Sequence, residues 1–226
     1  MRALRVERLG LMRYAEALEL QRETARKRIS GDIGEDVLLL VEHPPVVTLG
    51  RSAKSEHLLA SPALLGARGV ELFEVERGGD VTFHGPGQLV GYPIIDLKRH
   101  KRDLHWYLRQ VEEALIVALA ELGLESTRKP GLTGVWTKDA ARKIASIGVH
   151  ARDWVTWHGF ALNVTTDLRY FDLMVPCGIQ SVTMTSVARE LGDAGVSDLM
   201  NVVSDAVVRA FANVFALEIS ERAPTR

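Results

Sequence analysis

The sequence predicts a mixed α/β domain on three observations. Short apolar or alternating runs of strand length outnumber the helical stretches, and three segments repeat apolar residues at helical spacing. No repeat, low-complexity tract or flexible linker divides the series, so one domain over 1–226 is the expected organisation. A chain of 226 residues buries a sizeable core without disulfides or metals. Its 46% hydrophobic and 25% charged residues are ordinary globular usage.

Residues 2–9 alternate as a strand does. Over 12–29, Ala15, Leu18, Ala25 and Ile29 recur at helical spacing among many charges, the mark of a surface helix with one buried face. Residues 37–41 are a continuous apolar run, short enough for a buried strand and broken by Pro44 and Pro45. A second strand at 46–49 leads to a turn at Gly50, Arg51 and Ser52, and a third covers 70–75. Then come Arg77-Gly78-Gly79-Asp80, a strand at 81–84, a loop at Gly85-Pro86-Gly87 and a strand at 89–95. Asp103 is placed to cap a helix running to about Leu122 and ending at Gly123, with Leu104, Leu108, Val111, Leu115 and Leu119 on one face. Extended segments at 134–136, 143–149 and 155–164 precede a helical turn at 167–171 and the sequence Val175-Pro176-Cys177-Gly178-Ile179. A last helix is expected over 196–211.

Charge narrows the function classes. Lys plus Arg total 28 against 29 Asp plus Glu, which argues against wholesale attraction to nucleic acid or anionic membrane. A local basic run, Lys98, Arg99, His100, Lys101 and Arg102, reads either as a solvated loop or as a local patch that could attract an acidic surface. The N-terminal residues lack an apolar signal region, and no apolar stretch is long enough to span a bilayer. The lone cysteine, Cys177, permits no intrachain disulfide and suits a reducing compartment, so a soluble cytoplasmic protein is expected.

Cys177 is the one thiol nucleophile available. Pro176 fixes a backbone angle before it and Gly178 leaves its approach unblocked, although a buried apolar cysteine would read the same way. A thiolate needs a neighbouring cation, for which Lys143, His84 and His158 all stand in apolar, strand-like settings. The densest signal is 77–87, Arg-Gly-Gly-Asp-Val-Thr-Phe-His-Gly-Pro-Gly, whose adjacent glycines let backbone N–H groups approach a ligand. A plain hairpin does not call for Arg77, Asp80, Thr82 and His84 together. No phosphate-loop or dinucleotide fingerprint occurs, and the seven histidines lack metal-ligand spacing.

Taken jointly, these segments resemble the lipoyl(octanoyl) transferase family. The resemblance rests on 77–95, on Gly134-Val135-Trp136, on 142–148 (Arg-Lys-Ile-Ala-Ser-Ile-Gly), on 158–163 (His-Gly-Phe-Ala-Leu-Asn) and on Pro176-Cys177-Gly178-Ile179, in the family's order. It implies the mixed α/β catalytic domain shared with biotin and lipoate protein ligases, with mixed sheets flanked by helices. It implies an octanoyl group passed from acyl carrier protein to Cys177 as a thioester. From there the group passes to a lysine of the lipoyl domains of 2-oxo acid dehydrogenase E2 subunits or of the glycine-cleavage H protein.

By the same resemblance Lys143 lowers the cysteine pKa, and the substrate contacts fall on Arg77, Gly78, Gly79, Asp80, Val81, Thr82, Phe83 and His84. Further contacts fall on Ser146, Ile147 and Gly148, and on Gly159, Phe160 and Ala161. A thioester is already activated, so no cofactor, ATP or metal is expected. Backbone N–H groups of Gly78 and Gly79, or of Cys177, are candidates for the oxyanion site. Two rivals stand beside this reading: an ATP-dependent lipoate- or biotin-type ligase, and a non-catalytic nucleic-acid-binding domain using the basic run. The Pro-Cys-Gly setting disfavours the first; balanced charge and few aromatics disfavour the second.

Overall fold

The computed structural model describes residues 2–192 and 198–221. Its first half contains β1 (Ala3–Leu11), α1 (Tyr14–Ser30), β2 (Asp36–Glu42), β3 (Val46–Leu49), α2 (Pro62–Ala67), β4 (Glu71–Glu74), β5 (Val81–His84), β6 (Gln88–Ile94) and α3 (Leu104–Glu121). Then follow β7 (Ser126–Lys129), β8 (Leu132–Thr137), β9 (Arg142–Arg152), β10 (Val155–Asn163), β11 (Thr183–Met184), α4 (Val187–Leu191), α5 (Leu199–Val214) and β12 (Glu218–Glu221). The larger sheet has the order β12-β1-β2-β6-β10-β9-β8-β7, with β11 beside β9; the smaller has the order β4-β3-β5.

Both sheets are mixed, as expected. Strand β1 runs parallel to β2 and β12, while β2–β6–β10–β9–β8–β7 is an antiparallel series. The alternation of β2 sorts the core: Leu38 and Leu40 face α3 and α5, while Val37, Leu39 and Val41 face α1. Helix α1 bridges the sheets, because its Tyr14 and Leu18 also pack on Val46 and Val75 of the smaller sheet. Burying each such side chain stabilises by about 1.5–3 kcal/mol.

Several expectations need correction. The buried face of α3 is Tyr107, Val111, Ala114, Leu115, Ala118 and Leu119; Leu104 is 40% exposed and Leu108 half-buried. Asp103 caps the helix as expected, accepting from Trp106 N–H at 3.0 Å. In α1, Ala15 is exposed, and the buried face includes the polar Gln21, Thr24 and Arg28. Short α2, α4, β7, β11 and β12 lack the length for a periodic signal. The last helix runs Leu199–Val214; the expected start at 196 lies outside the described residues.

Candidate active site

A cavity of about 190 Å³ opens where the two sheets meet the Cys177 turn. Strand β9 carries Lys143, Ser146, Ile147 and Gly148 along its wall, and β10 adds Gly159, Phe160 and Ala161. The opposite wall is the loop and strand at Arg77, Gly79, Asp80, Thr82 and His84. Cys177 and Ile179 stand at the same cavity, as do Tyr14, Val90, Tyr92 and Leu132.

Three residues of the expected set lie elsewhere. Val81 and Phe83 point by strand alternation into the core of the smaller sheet, where Phe83 stacks on Tyr170 at 4.5 Å. Gly78 is not among the cavity-lining residues, and its N–H donates to Val149 O at 2.9 Å. That bond removes the Gly78 N–H from the oxyanion candidates.

The sulfur stands on a constrained turn. Pro176–Gly178 forms one turn of 3-10 helix, with Cys177 at φ 57° and Gly178 at φ 66°, both left-handed. A Cβ at Gly178 would sit 2.5 Å from Asp80 Oδ2 and 3.1 Å from the His57 ring, so only glycine fits. His57 Nδ1 donates to Asp80 Oδ2 at 2.6 Å, while Asp80 Oδ1 accepts from Val81 N–H at 2.7 Å. The hydrogen bond from Val175 N–H to His57 O (2.8 Å) ties the same loop to the cysteine turn.

Lys143 Nζ donates to Cys177 Sγ at 3.3 Å, and Ser146 Oγ lies 3.6 Å from the same sulfur. Lys143 is 1% exposed. Gly134, at φ 135°, makes room for it: a Cβ there would come within 2.6 Å of Lys143 Cε and of Ala145 O. Glu112, fully buried in α3, accepts from Gly134 N–H at 3.0 Å and holds that strand in place.

The histidines that compete with Lys143 as the cation are held neutral. Burial pushes His84 down to about 3, with His43 adding to the effect. Asn163 Nδ2 donates to Thr185 O, which turns Asn163 Oδ1 toward Gln88 Nε2 at 2.9 Å. Gln88 Oε1 therefore accepts from His84 Nδ1 at 2.8 Å, leaving Nε2 as a bare lone pair. His158 is likewise lowered, chiefly by burial with the Glu76 carboxylate opposing, and its backbone N–H donates to Gln21 Oε1 of α1 at 3.0 Å.

Arg77 is buried, its guanidinium donating to Thr48 O at 2.7 Å, Thr48 Oγ1 at 2.8 Å and Gly78 O at 3.1 Å. Burial lowers its pKa, the field of Tyr14 opposing. The basic run lies away from the cavity, where Asp96 bridges to Val155 at the other end of β10. Lys98 and Lys101 pair with Asp96 and Asp103, and His100 with Asp36. His100, its side chain 2% exposed on Asp36, anchors the run, while Lys98, Arg99, Lys101 and Arg102 around it are exposed.

Sequence reasoning missed His57, which carried no signal, and Glu112, whose signal was an acid inside the apolar stripe of α3. It also missed Gln88 and Asn163, although both stood inside the matching segments. What the cavity can do chemically is clear from its parts: a sulfur with an adjacent buried amine, beside a largely apolar pocket. A cavity of about 150 Å³ suffices for benzene, so this one admits a short alkyl chain.

Residues 13–212 match the lipoyl protein ligase A/B catalytic domain. The chain is 49% identical over 219 residues to an octanoyltransferase of Chloroflexus aurantiacus, covering 96% of each. In fold it resembles a bi-partite lipoate protein ligase of Thermoplasma acidophilum, described with its E2 lipoyl domain, at TM-score 0.75 and 19% identity over 100% of this chain and 88% of that one. It also resembles the biotin protein ligase of Aquifex aeolicus, at TM-score 0.50 and 12% identity over 96% and 69%. The mixed α/β fold expected from sequence is thus that of the lipoate and biotin ligases. The chain belongs to the lipoyl protein ligase A/B catalytic domain family and stands among its octanoyltransferases.

Proposed function

We propose that the chain acts as one catalytic domain that moves an octanoyl group from acyl carrier protein to a protein lysine through an octanoyl-Cys177 thioester. The acceptors are the lipoyl domains of 2-oxo acid dehydrogenase E2 subunits and the glycine-cleavage H protein, in lipoate biosynthesis. The observation that carries the mechanism is the 3.3 Å contact between Lys143 Nζ and Cys177 Sγ at the wall of the pocket. A buried ammonium without a counter-charge costs several kcal/mol, and a thiolate at this distance offsets that cost.

In the first step the Cys177 thiolate attacks the thioester carbonyl. A new C–S bond forms, the carrier's C–S bond breaks, and the departing thiolate takes a proton from the Lys143 ammonium. In the second, the acceptor lysine arrives as a neutral amine and forms the C–N bond. It gives its remaining extra proton to the Lys143 amine, while Cys177 leaves as thiolate. Both groups return to their starting state.

The E2 lipoyl domain named with the Thermoplasma ligase supports a lipoyl domain as acceptor. A lone thiol that must stay reduced fits the cytoplasm. Among the described residues no helix is long and apolar enough to cross a membrane. To test the reading, the protein is mixed with octanoyl-carrier thioester without ATP and weighed. A gain of one octanoyl group, absent in Cys177→Ala, is expected. Transfer of free octanoate to a lipoyl domain that requires ATP and survives in Cys177→Ala would establish the ligase reading instead.

A further inference from the structure

Resting on that reading, the walls of the pocket bear on the length of the chain it holds. Cys177 Sγ marks one end, 3.6 Å from Ser146 Oγ on β9. Ser146 lies opposite Ala161 on β10, and Ala161 opposite Val90 on β6. With strands about 4.8 Å apart, Ser146 to Val90 spans about 10 Å, so the floor from sulfur to Val90 is about 13 Å long. The other wall agrees: Asp80 lies against Gly178, and His84 is four residues further on, about 13 Å at strand spacing. A saturated eight-carbon acyl group, about 9 Å from carbonyl to methyl with C–C bonds of about 1.5 Å, extends about 11 Å from the sulfur, which leaves about one methyl radius before the wall.

At that far end the pocket meets rings. Tyr14 and His84 lie parallel with centroids 6.0 Å apart, and His43 stands 5.3 Å from Tyr14 and 5.9 Å from Tyr92. Three of the four are pinned by hydrogen bonds. Tyr92 Oη donates to His43 Nε2 at 2.7 Å, and His43 Nδ1 donates to Met12 O at 2.7 Å. His84 is held by the Gln88 bond described above. Tyr14 is wedged between His84 and Phe73. The small residues Ser146, Gly148, Gly159 and Ala161 keep the floor open up to this point, and Val90 and Tyr92 end it.

We propose that Tyr14, His43, His84 and Tyr92 form a rigid end-stop that sets the acyl chain at eight carbons. His43 does not line the cavity; it acts by bracing Tyr92 and Tyr14. A chain two carbons longer has to push its methyl end into hydrogen-bonded rings. One two carbons shorter leaves about two methylenes of contact unused, roughly a fifteenfold loss of affinity.

The test is a competition. Equimolar hexanoyl-, octanoyl-, decanoyl- and dodecanoyl-carrier thioesters are offered to limiting protein, and the acylated Cys177 population is weighed. Wild type carries mainly octanoyl. Tyr92→Ala removes part of the stop and is expected to raise the decanoyl-to-octanoyl ratio at least tenfold. Ala161→Val raises the floor and is expected to move the population toward hexanoyl. Opposite shifts in the two variants support the stop, and if circular dichroism shows Tyr92→Ala unfolded, the Ala161→Val shift decides. Acylation with unmoved ratios overturns the stop alone, while no acylation of wild type by any chain overturns the transferase mechanism and the stop with it.

Discussion

Lys143 is a long side chain whose every methylene is buried and whose ammonium meets a sulfur. Removing that ammonium takes away the attraction that favours thiolate. Lys143→Ala is expected to slow alkylation of Cys177 by iodoacetamide at neutral pH at least tenfold, while circular dichroism remains native. An unchanged alkylation rate would deny the amine its proposed role. The room for this side chain comes from Gly134, so a single methyl there is enough to expel it. Gly134→Ala places a Cβ 2.6 Å from both Lys143 Cε and a backbone carbonyl, at a φ of 135° that L residues avoid. Octanoyl transfer is expected to fall at least a hundredfold, measured as kcat/KM on a lipoyl domain; wild-type kinetics would show that the strand can yield. Both glycine and lysine stand in segments that the sequence displayed openly. The apposition of Lys143 to Cys177, thirty-four positions later, was legible only through the family resemblance, because spacing along the chain carries no distance in space.

Among the elements, the neutral histidines where α1 meets β5 and β6 make acid stability a property of their packing. Burial lowers His43 from 6.5 to about 4 and His84 from 6.5 to about 3. The folded state thus favours the neutral rings, and the unfolded chain takes up protons first as the pH falls below about 6.5. Stability from these groups is present above that value and is lost as acid approaches the folded pKa values, at up to about 1.4 kcal/mol per pH unit for each ring. Urea unfolding at pH 7, 5.5 and 4.5 is expected to show this decline, with a shallower slope in His43→Gln. An equal slope in that variant would mean that other groups govern acid sensitivity. The strands themselves were legible because β2 holds a continuous apolar run and β6 and β10 are short, largely apolar segments of strand length. The polar face of α1 was not, since Gln21 and Arg28 read as solvent-facing until the sheet beneath supplies their partners.

For the molecule as a whole, α1, β2 and the end of β6 are tied by one buried polar knot. Arg28 Nε donates to Asp36 Oδ1 at 3.1 Å, its Nη1 lies 3.6 Å from Asp96 Oδ2, and His100 Nε2 reaches Asp36 Oδ2 at 2.9 Å. Deleting one partner leaves buried charge uncompensated, so Arg28→Ala is expected to cost about 3–5 kcal/mol in urea unfolding. A loss below about 1 kcal/mol would show that solvent reaches the knot and screens it. The sequence by itself determined the order of the longer strands and helices, the helix cap at Asp103 and the single thiol that can be proposed as nucleophile, because these depend on residue types and on neighbours along the chain. Only the tertiary structure decided which of three candidate cations stands beside the sulfur, which residues of 77–84 face the pocket, and that polar side chains of α1 lie inside. Those outcomes depend on which surfaces of distant segments meet and on how far burial suppresses charge, and strand pairing across the two sheets settles both.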